Sequence, residues 1–334
     1  MKKLLLIFAL ATGLINAAHA DYSYLGQYFD SRWQAGYLSG AGLHFERANL
    51  FYNTFNLTEE VFDNAPQNTK GLWGHIEYSK LKSPTIQQKA PHISLGYSHP
   101  ITNDLRVGLT ASLSQSTNDQ VKWMTFAFQN KHNVLGLAIN AHYQPSLGFI
   151  DASFGSWVSQ NKLTVLNYDP FSPDKSHTPL STNRTQTGFA LGARVGIEYP
   201  ISEALTVTPS LQGTLGYATH YFDDTKAYHS TSLGAHLSGD WKVNSQFKIG
   251  ANVALDSLWS ALNINQANWV YGPLEADLVS WEKGLKQDLR MKAGLHANYS
   301  VTQKFNFGVE ADYQRYQKSK LHGMTFQISG QYRF

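Results

Sequence analysis

The sequence has no cysteine among its 334 residues, so neither disulfides nor thiolate metal clusters hold it together. Charge is scarce as well, with Asp, Glu, Lys and Arg at 15% of the chain. Long apolar runs are scarcer still. Beyond position 20 nothing approaches the roughly 20 continuous apolar residues of a membrane-spanning helix, which excludes a helical membrane protein. The early run from Leu4 to Leu14 is too short to span; it follows Lys2 and Lys3 and precedes Ala18-His19-Ala20, the order of charge, apolar run and small residues that marks a secretory signal peptide over 1–20. Losing that leader removes two lysines from 27 basic residues, leaving 25 against 24 acidic ones. A nearly neutral chain presents no electrostatic footprint for nucleic acid.

Ring and turn residues are plentiful, with aromatics at 13% and glycine at 26 positions. From Met324 onward every second residue is apolar or glycine: Met324, Phe326, Ile328, Gly330, Tyr332 and Phe334 share one face, and Thr325, Gln327, Ser329, Gln331 and Arg333 the other. A period of two makes a strand with one oily face and one wet face. The same alternation recurs backwards along the chain to Leu72, interrupted by polar turns at 99–104, Pro145-Ser146, 200–204, 244–246 and 302–304. Counting the runs predicts twelve strands, joined by five short turns on one rim and six longer connections on the other. Tyr97, Tyr143, Tyr199, Tyr299 and Tyr332 fall beside the short turns, where an interfacial aromatic girdle belongs.

Which face is oily decides the fold class. The residues alternating with the apolar set include Arg106, Asp151, Arg194, Glu198, Lys248, Asp256, Asp288, Arg290, Lys292, Glu310, Asp312 and Arg333. A soluble barrel hides its apolar side chains; twelve strands with a charged set of this size predict the inverse, an all-β, transmembrane, antiparallel up-and-down barrel whose lumen is lined by these charges. Their alternating signs suit salt bridges across the lumen. Should the lumen be open, the bases would favour anions and the acids oppose them. Ahead of the barrel, residues 21–70 form a short N-terminal segment. Within it, about 43–62 carries Leu43, Phe45, Leu50, Phe51, Phe55, Val61 and Phe62 among Glu46, Arg47, Asn53, Glu59 and Glu60. That spacing fits an amphipathic helix, either packed on the barrel or threaded through its lumen, with Thr58 opening a last turn and Asn64-Ala65-Pro66 ending it.

The aromatic C-terminal strand, with Phe326, Ile328, Tyr332 and Phe334 on one face, resembles the terminal strand that the insertion machinery of the Gram-negative outer membrane recognises. Leu72-Trp73-Gly74, Ile93-Ser94-Leu95-Gly96-Tyr97 and Leu205-Thr206-Val207-Thr208-Pro209-Ser210-Leu211 resemble recurring phrases of the autotransporter translocator domain, and the likeness extends over residues 43–334. The resemblance implies an outer-membrane barrel at 71–334, a helix in its pore, partners limited to membrane lipid and the insertion machinery, and export of an N-terminal passenger by type V secretion. A monomer is expected. The sequence departs from that pattern between Asp21 and the helix, where too few residues stand for a passenger with its own core. No Asn-Asn pair offers the linker cleavage point of some members, since Asn53, Asn56 and Asn64 stand singly. The expected protein is therefore a translocator-like barrel with little or no passenger.

Two other functions keep the same fold. A twelve-strand channel for small solutes or ions would need an open lumen. A surface adhesin would use the outer loops, of which Asn167–Asn183 is proline-rich and Asn263–Gly284 carries Trp269, Tyr271, Glu275 and Trp281. Catalysis is not expected. An outer-membrane phospholipase needs His and Ser two apart on one strand face, whereas His229-Ser230-Thr231 puts them on opposite faces. The 13 histidines show no His-x-x-x-His spacing, so neither metal nor cofactor is expected.

Overall fold

The computed structural model describes residues 50, 52–63, 65, 70–83, 86–120, 126–167, 180–219, 227–261 and 287–334. Twelve strands follow one another: β1 Gly71–Lys82, β2 Ile86–Pro100, β3 Leu105–Gln120, β4 Phe126–Tyr143, β5 Gly148–Asn167, β6 Leu180–Ile197 with its continuation Tyr199–Pro200, β7 Leu205–Thr219, β8 Ala227–Lys242, β9 Phe247–Ala261, β10 Gln287–Ser300, β11 Phe305–Tyr316 and β12 His322–Arg333. The continuation keeps the β6 register on β7, from Gly196 opposite Ser210 to Tyr199 opposite Val207. Each strand pairs antiparallel with its sequence neighbours. Pairing of β1 with β12, from Gly71 opposite Arg333 to Lys82 opposite His322, closes the cylinder. One chain completes the barrel, and no edge remains to recruit a second.

Alternation assigns the faces as the sequence predicts. Leu295, Leu95 and Ile76 are 69%, 64% and 60% exposed on the outside, whereas His132, Asp256 and Asp151 are 0%, 1% and 2% exposed on the inside. An apolar exterior around a polar interior is stable only where the exterior meets lipid. At the rim Leu72 sits between Tyr97 of β2 and Tyr332 of β12, the start of the aromatic girdle.

Four of the five short turns share one local chemistry. Thr102, Ser202, Asn244 and Thr302 each use a side-chain oxygen to accept the backbone N–H groups two and three residues ahead, at 2.8–3.3 Å. An apolar residue stands before each, in Ile101-Thr102, Ile201-Ser202, Val243-Asn244 and Val301-Thr302. Such side-chain turns satisfy the donors that a tight reversal leaves unpaired.

The opposite rim differs from expectation. Strands run further there than hydrophobic alternation suggests, and the connections at 83–85 and 317–321 are about as short as the turns of the other rim. In the second of these, Asp288 accepts N–H groups from Lys318 at 2.7 Å and Ser319 at 3.0 Å, while Lys320 takes a left-handed φ of 56°. The supposed loop Asn167–Asn183 is strand at 167 and from 180 to 183. Its remainder, and the aromatic-rich stretch 263–284, lie outside the described residues. The wall is consequently uneven: β5 has 20 residues and β4 and β6 have 18, against 12 in each of β1, β11 and β12.

Candidate functional site: the lumen helix and its wall

A helix, α1, occupies position 50 and residues 52–63 inside the barrel. The expected start at 43 lies outside the described residues. Thr58 does not open a turn; it sits within α1, with its hydroxyl donating to the Thr54 carbonyl at 2.7 Å, a mid-helix use of threonine. The helix is largely buried, with Asp63 at its end exposed, and each side meets a different part of the wall.

Leu50, Thr54 and Leu57 form one stripe at helical spacing and face a lane of small residues on β4–β7. A Cβ on Gly155 would lie 3.1 Å from the Leu57 Cβ, one on Gly136 2.8 Å from a Leu57 methyl, and one on Gly216 3.2 Å from a Leu50 methyl. Beside this stripe, a Cβ on Gly192 would lie 2.7 Å from the Thr58 Cβ. Glycine at these inward positions lets the helix backbone approach the wall. Val134, Ala138, Ala190, Ala218 and Trp157 complete the apolar cluster with Leu50 and Leu57. Ser153 donates its hydroxyl to the Leu57 carbonyl at 2.7 Å.

Around the helix the chemistry turns ionic. Arg290 donates to Glu59 at 2.6 Å and through Nε to Asp256 at 3.0 Å, and its guanidinium lies 4.1 Å from the centre of the Phe55 ring. His236 meets the other oxygen of Asp256 at 2.9 Å. Lys292 bridges Glu59 at 3.5 Å and Asp312 at 3.3 Å. At the C-terminal end of α1, Arg194 donates to the Phe62 carbonyl at 3.0 Å and pairs with Asp63 and, at 2.9 Å, with Asp151. A cation there complements the negative end of the helix dipole. Asp151 is held in turn by His142 at 2.7 Å, and Arg106 is buried nearby.

The remaining sides carry imidazoles. Asn53 bonds His132 at 3.0 Å, and His132 meets Asn161. Glu60 meets His75 at 3.1 Å and His92 at 3.0 Å. No sequence spacing points to this last cluster, because its members come from α1, β1 and β2.

Of the twelve charged residues read from alternation, Asp151, Arg194, Asp256, Arg290, Lys292 and Asp312 join these networks. Glu310 accepts from Asn252 at 2.8 Å. Together with Glu198 it lines a polar vestibule of about 280 Å³ beneath α1 at the short-turn rim, which also holds Lys292, His236 and Asp240. Asp288 serves the 317–321 turn, and Lys248 is exposed next to the 243–246 turn. Arg333 stands at the rim opposite Gly71. Phe326, Ile328, Tyr332 and Phe334 all face outward, 42–61% exposed. Phe334 donates its N–H to the Lys70 carbonyl at 3.1 Å, so the last residue is tied into the wall.

One Ser-His-Glu grouping stands out among the described residues, and its geometry is wrong for a nucleophile. Ser94 at 2.7 Å and Glu60 at 3.0 Å both meet Nε2 of His92, while Nδ1 faces Asn56. A triad places its hydroxyl and its acid on opposite ring nitrogens. Of the tripeptide on β8, His229 is exposed and Ser230 buried.

A closed antiparallel cylinder with an apolar outside, a polar inside and a helix of its own chain in the lumen defines an integral outer-membrane β-barrel. Residues 70–312 match the family model described as the autotransporter beta-domain, and the chain belongs to that family. It therefore resides in the Gram-negative outer membrane. Solved structures share the fold at low identity. The translocator domain of the autotransporter NalP from Neisseria meningitidis superposes with a TM-score of 0.62 at 12% identity, covering 86% of this chain and 96% of that one. The beta domain of the Bordetella autotransporter BrkA gives 0.57 at 9% identity, covering 80% and 100%. The transport unit of AIDA-I from Escherichia coli gives 0.53 at 11%, covering 86% and 99%. No curated protein matches the sequence.

Proposed function

We propose that this barrel is a translocator unit whose own N-terminal segment crosses the lumen to the cell surface. The polarity of α1 carries the reading. Its C-terminal end lies at the short-turn rim, where Val61 and Ala65 pack with Trp73 at the start of β1, and its other end reaches Gly216 and Ser230, towards the rim of longer connections. Short turns face the periplasm in barrels of this kind. Residues ahead of α1 are then led outward, and the ionic contacts of α1 hold it as a permanent stopper. The barrel works without catalysis, inserts through Phe326, Ile328, Tyr332 and Phe334, and contacts lipid along its apolar face.

The absence of native cysteine supplies a clean test. Ser31→Cys places the sole thiol of the chain ahead of α1. A membrane-impermeant maleimide should label it on intact cells. Labelling only after the outer membrane is permeabilised would overturn the proposal.

A further inference from the structure

Glu60 of α1, His75 of β1 and His92 of β2 bring one carboxylate oxygen and two ring nitrogens within 4.8 Å of one another. The Glu60 oxygen lies 3.1 Å from Nε2 of His75 and 3.0 Å from Nε2 of His92. We propose that these three residues bind a divalent cation of the zinc type, which fastens the lumen helix to the wall at β1 and β2.

Distance supports the site first. Zinc bonds of about 2.0–2.1 Å in a tetrahedron set neighbouring donor atoms roughly 3.3 Å apart, so the two Glu60–imidazole distances need to open by only a few tenths of an ångström, and the two ring nitrogens lie within 4.8 Å of each other. Two imidazoles and a carboxylate, with a fourth position left for water, are a donor set that zinc accepts.

The surroundings supply a second, independent argument. With its amide turned to satisfy its neighbours, Asn56 accepts a hydrogen bond from Nδ1 of His92 at 3.0 Å and donates to the other Glu60 oxygen at 3.0 Å. A proton on Nδ1 leaves Nε2 of the neutral ring with a lone pair, which faces both the Ser94 hydroxyl at 2.7 Å and the Glu60 carboxylate. Two acceptors face each other across 3.0 Å, an arrangement that a cation between them resolves. The Asn56 contact is also the outer-shell bond that metal-binding histidines use to fix their tautomer. His75 is 3% exposed, and its Nδ1 has no hydrogen-bond partner among the described residues. Nε2 is the ring nitrogen that reaches Glu60, and the outer-shell bond seen at His92 has no counterpart at His75 among the described residues.

Charge points the same way. Where Glu59 and Asp63 meet guanidinium groups, Glu60 meets two imidazoles.

The test is titration of the purified, detergent-folded full chain with zinc chloride by calorimetry and with cobalt chloride by visible absorption. One ion per chain is expected, with the intense absorption of tetrahedral cobalt, reversed by EDTA. His92→Asn and Glu60→Gln should each weaken binding at least tenfold, taking the roughly 10–100-fold cost of losing an outer-shell partner as a floor. His322→Ala, at the open rim, should change nothing. A cobalt spectrum without tetrahedral character, no binding heat, or binding retained in both Glu60→Gln and His92→Asn would overturn the site in favour of a metal-free hydrogen-bonded cluster. The spectrum of the unaltered protein decides the matter even if a variant fails to fold.

Discussion

The two flanks of the lumen helix are built on opposite principles. Towards β4–β7 it meets glycines and alanines, and Leu50, Thr54 and Leu57 lie against the wall with no charge between. Towards β9–β11 it meets Arg290, Asp256, Lys292 and Asp312, and its hold depends on ion pairs. The first flank fixes distance, because close packing tolerates little change in volume. The second fixes rotation and depth, because buried ion pairs tolerate only one register. The β4–β7 flank is thus a smooth lane and the β9–β11 flank a latch.

Removing the latch should cost most. Arg290→Ala leaves Glu59 and Asp256 buried without their guanidinium, and the loss is expected to be about 3–5 kcal/mol, read as a lower unfolding midpoint in urea and as protease access to α1. On the lane, Leu57→Ala empties a fully buried site and should cost about 2–4 kcal/mol by the same measurement. If the lane variant proved the more damaging, the division of labour between the flanks would be reversed. Outside the barrel, Leu295→Arg puts a charge on the membrane face and should lower stability by about 2–4 kcal/mol in lipid, less if the position lies near an interface. Asp63→Asn should do least, below about 1 kcal/mol, because that carboxylate is 40% exposed and screened by water.

Much of this was readable from the residues. Alternation in Leu105–Leu113, Phe189–Tyr199 and Met324–Phe334 fixes both strand and face, because lipid selects every second side chain. The charges drawn into the lumen networks, Arg194 and Arg290 among them, stand on the wet face of that same alternation. Strand ends towards the open rim were not readable. Gln129–Asn133 of β4 pair with Gln160–Thr164 of β5, and those segments are largely polar on both faces once the wall has left the lipid, so the period disappears while the hydrogen bonding continues. The lane was readable in principle, since Gly136, Gly155, Gly192 and Gly216 occupy inward positions on four consecutive strands; attention to charge alone passes over it. The Glu60, His75 and His92 cluster was not, because the rotation of α1 about its axis is set by packing and leaves no spacing in the sequence.

Planar-bilayer recording of the purified full-length protein tests the stoppered lumen most directly. With α1 latched, the account predicts an electrically quiet membrane for the unaltered chain and open events for Arg290→Ala under the same voltage. A large, steady conductance from the unaltered chain would contradict it, since an ion path of that size cannot coexist with a helix packed on every side.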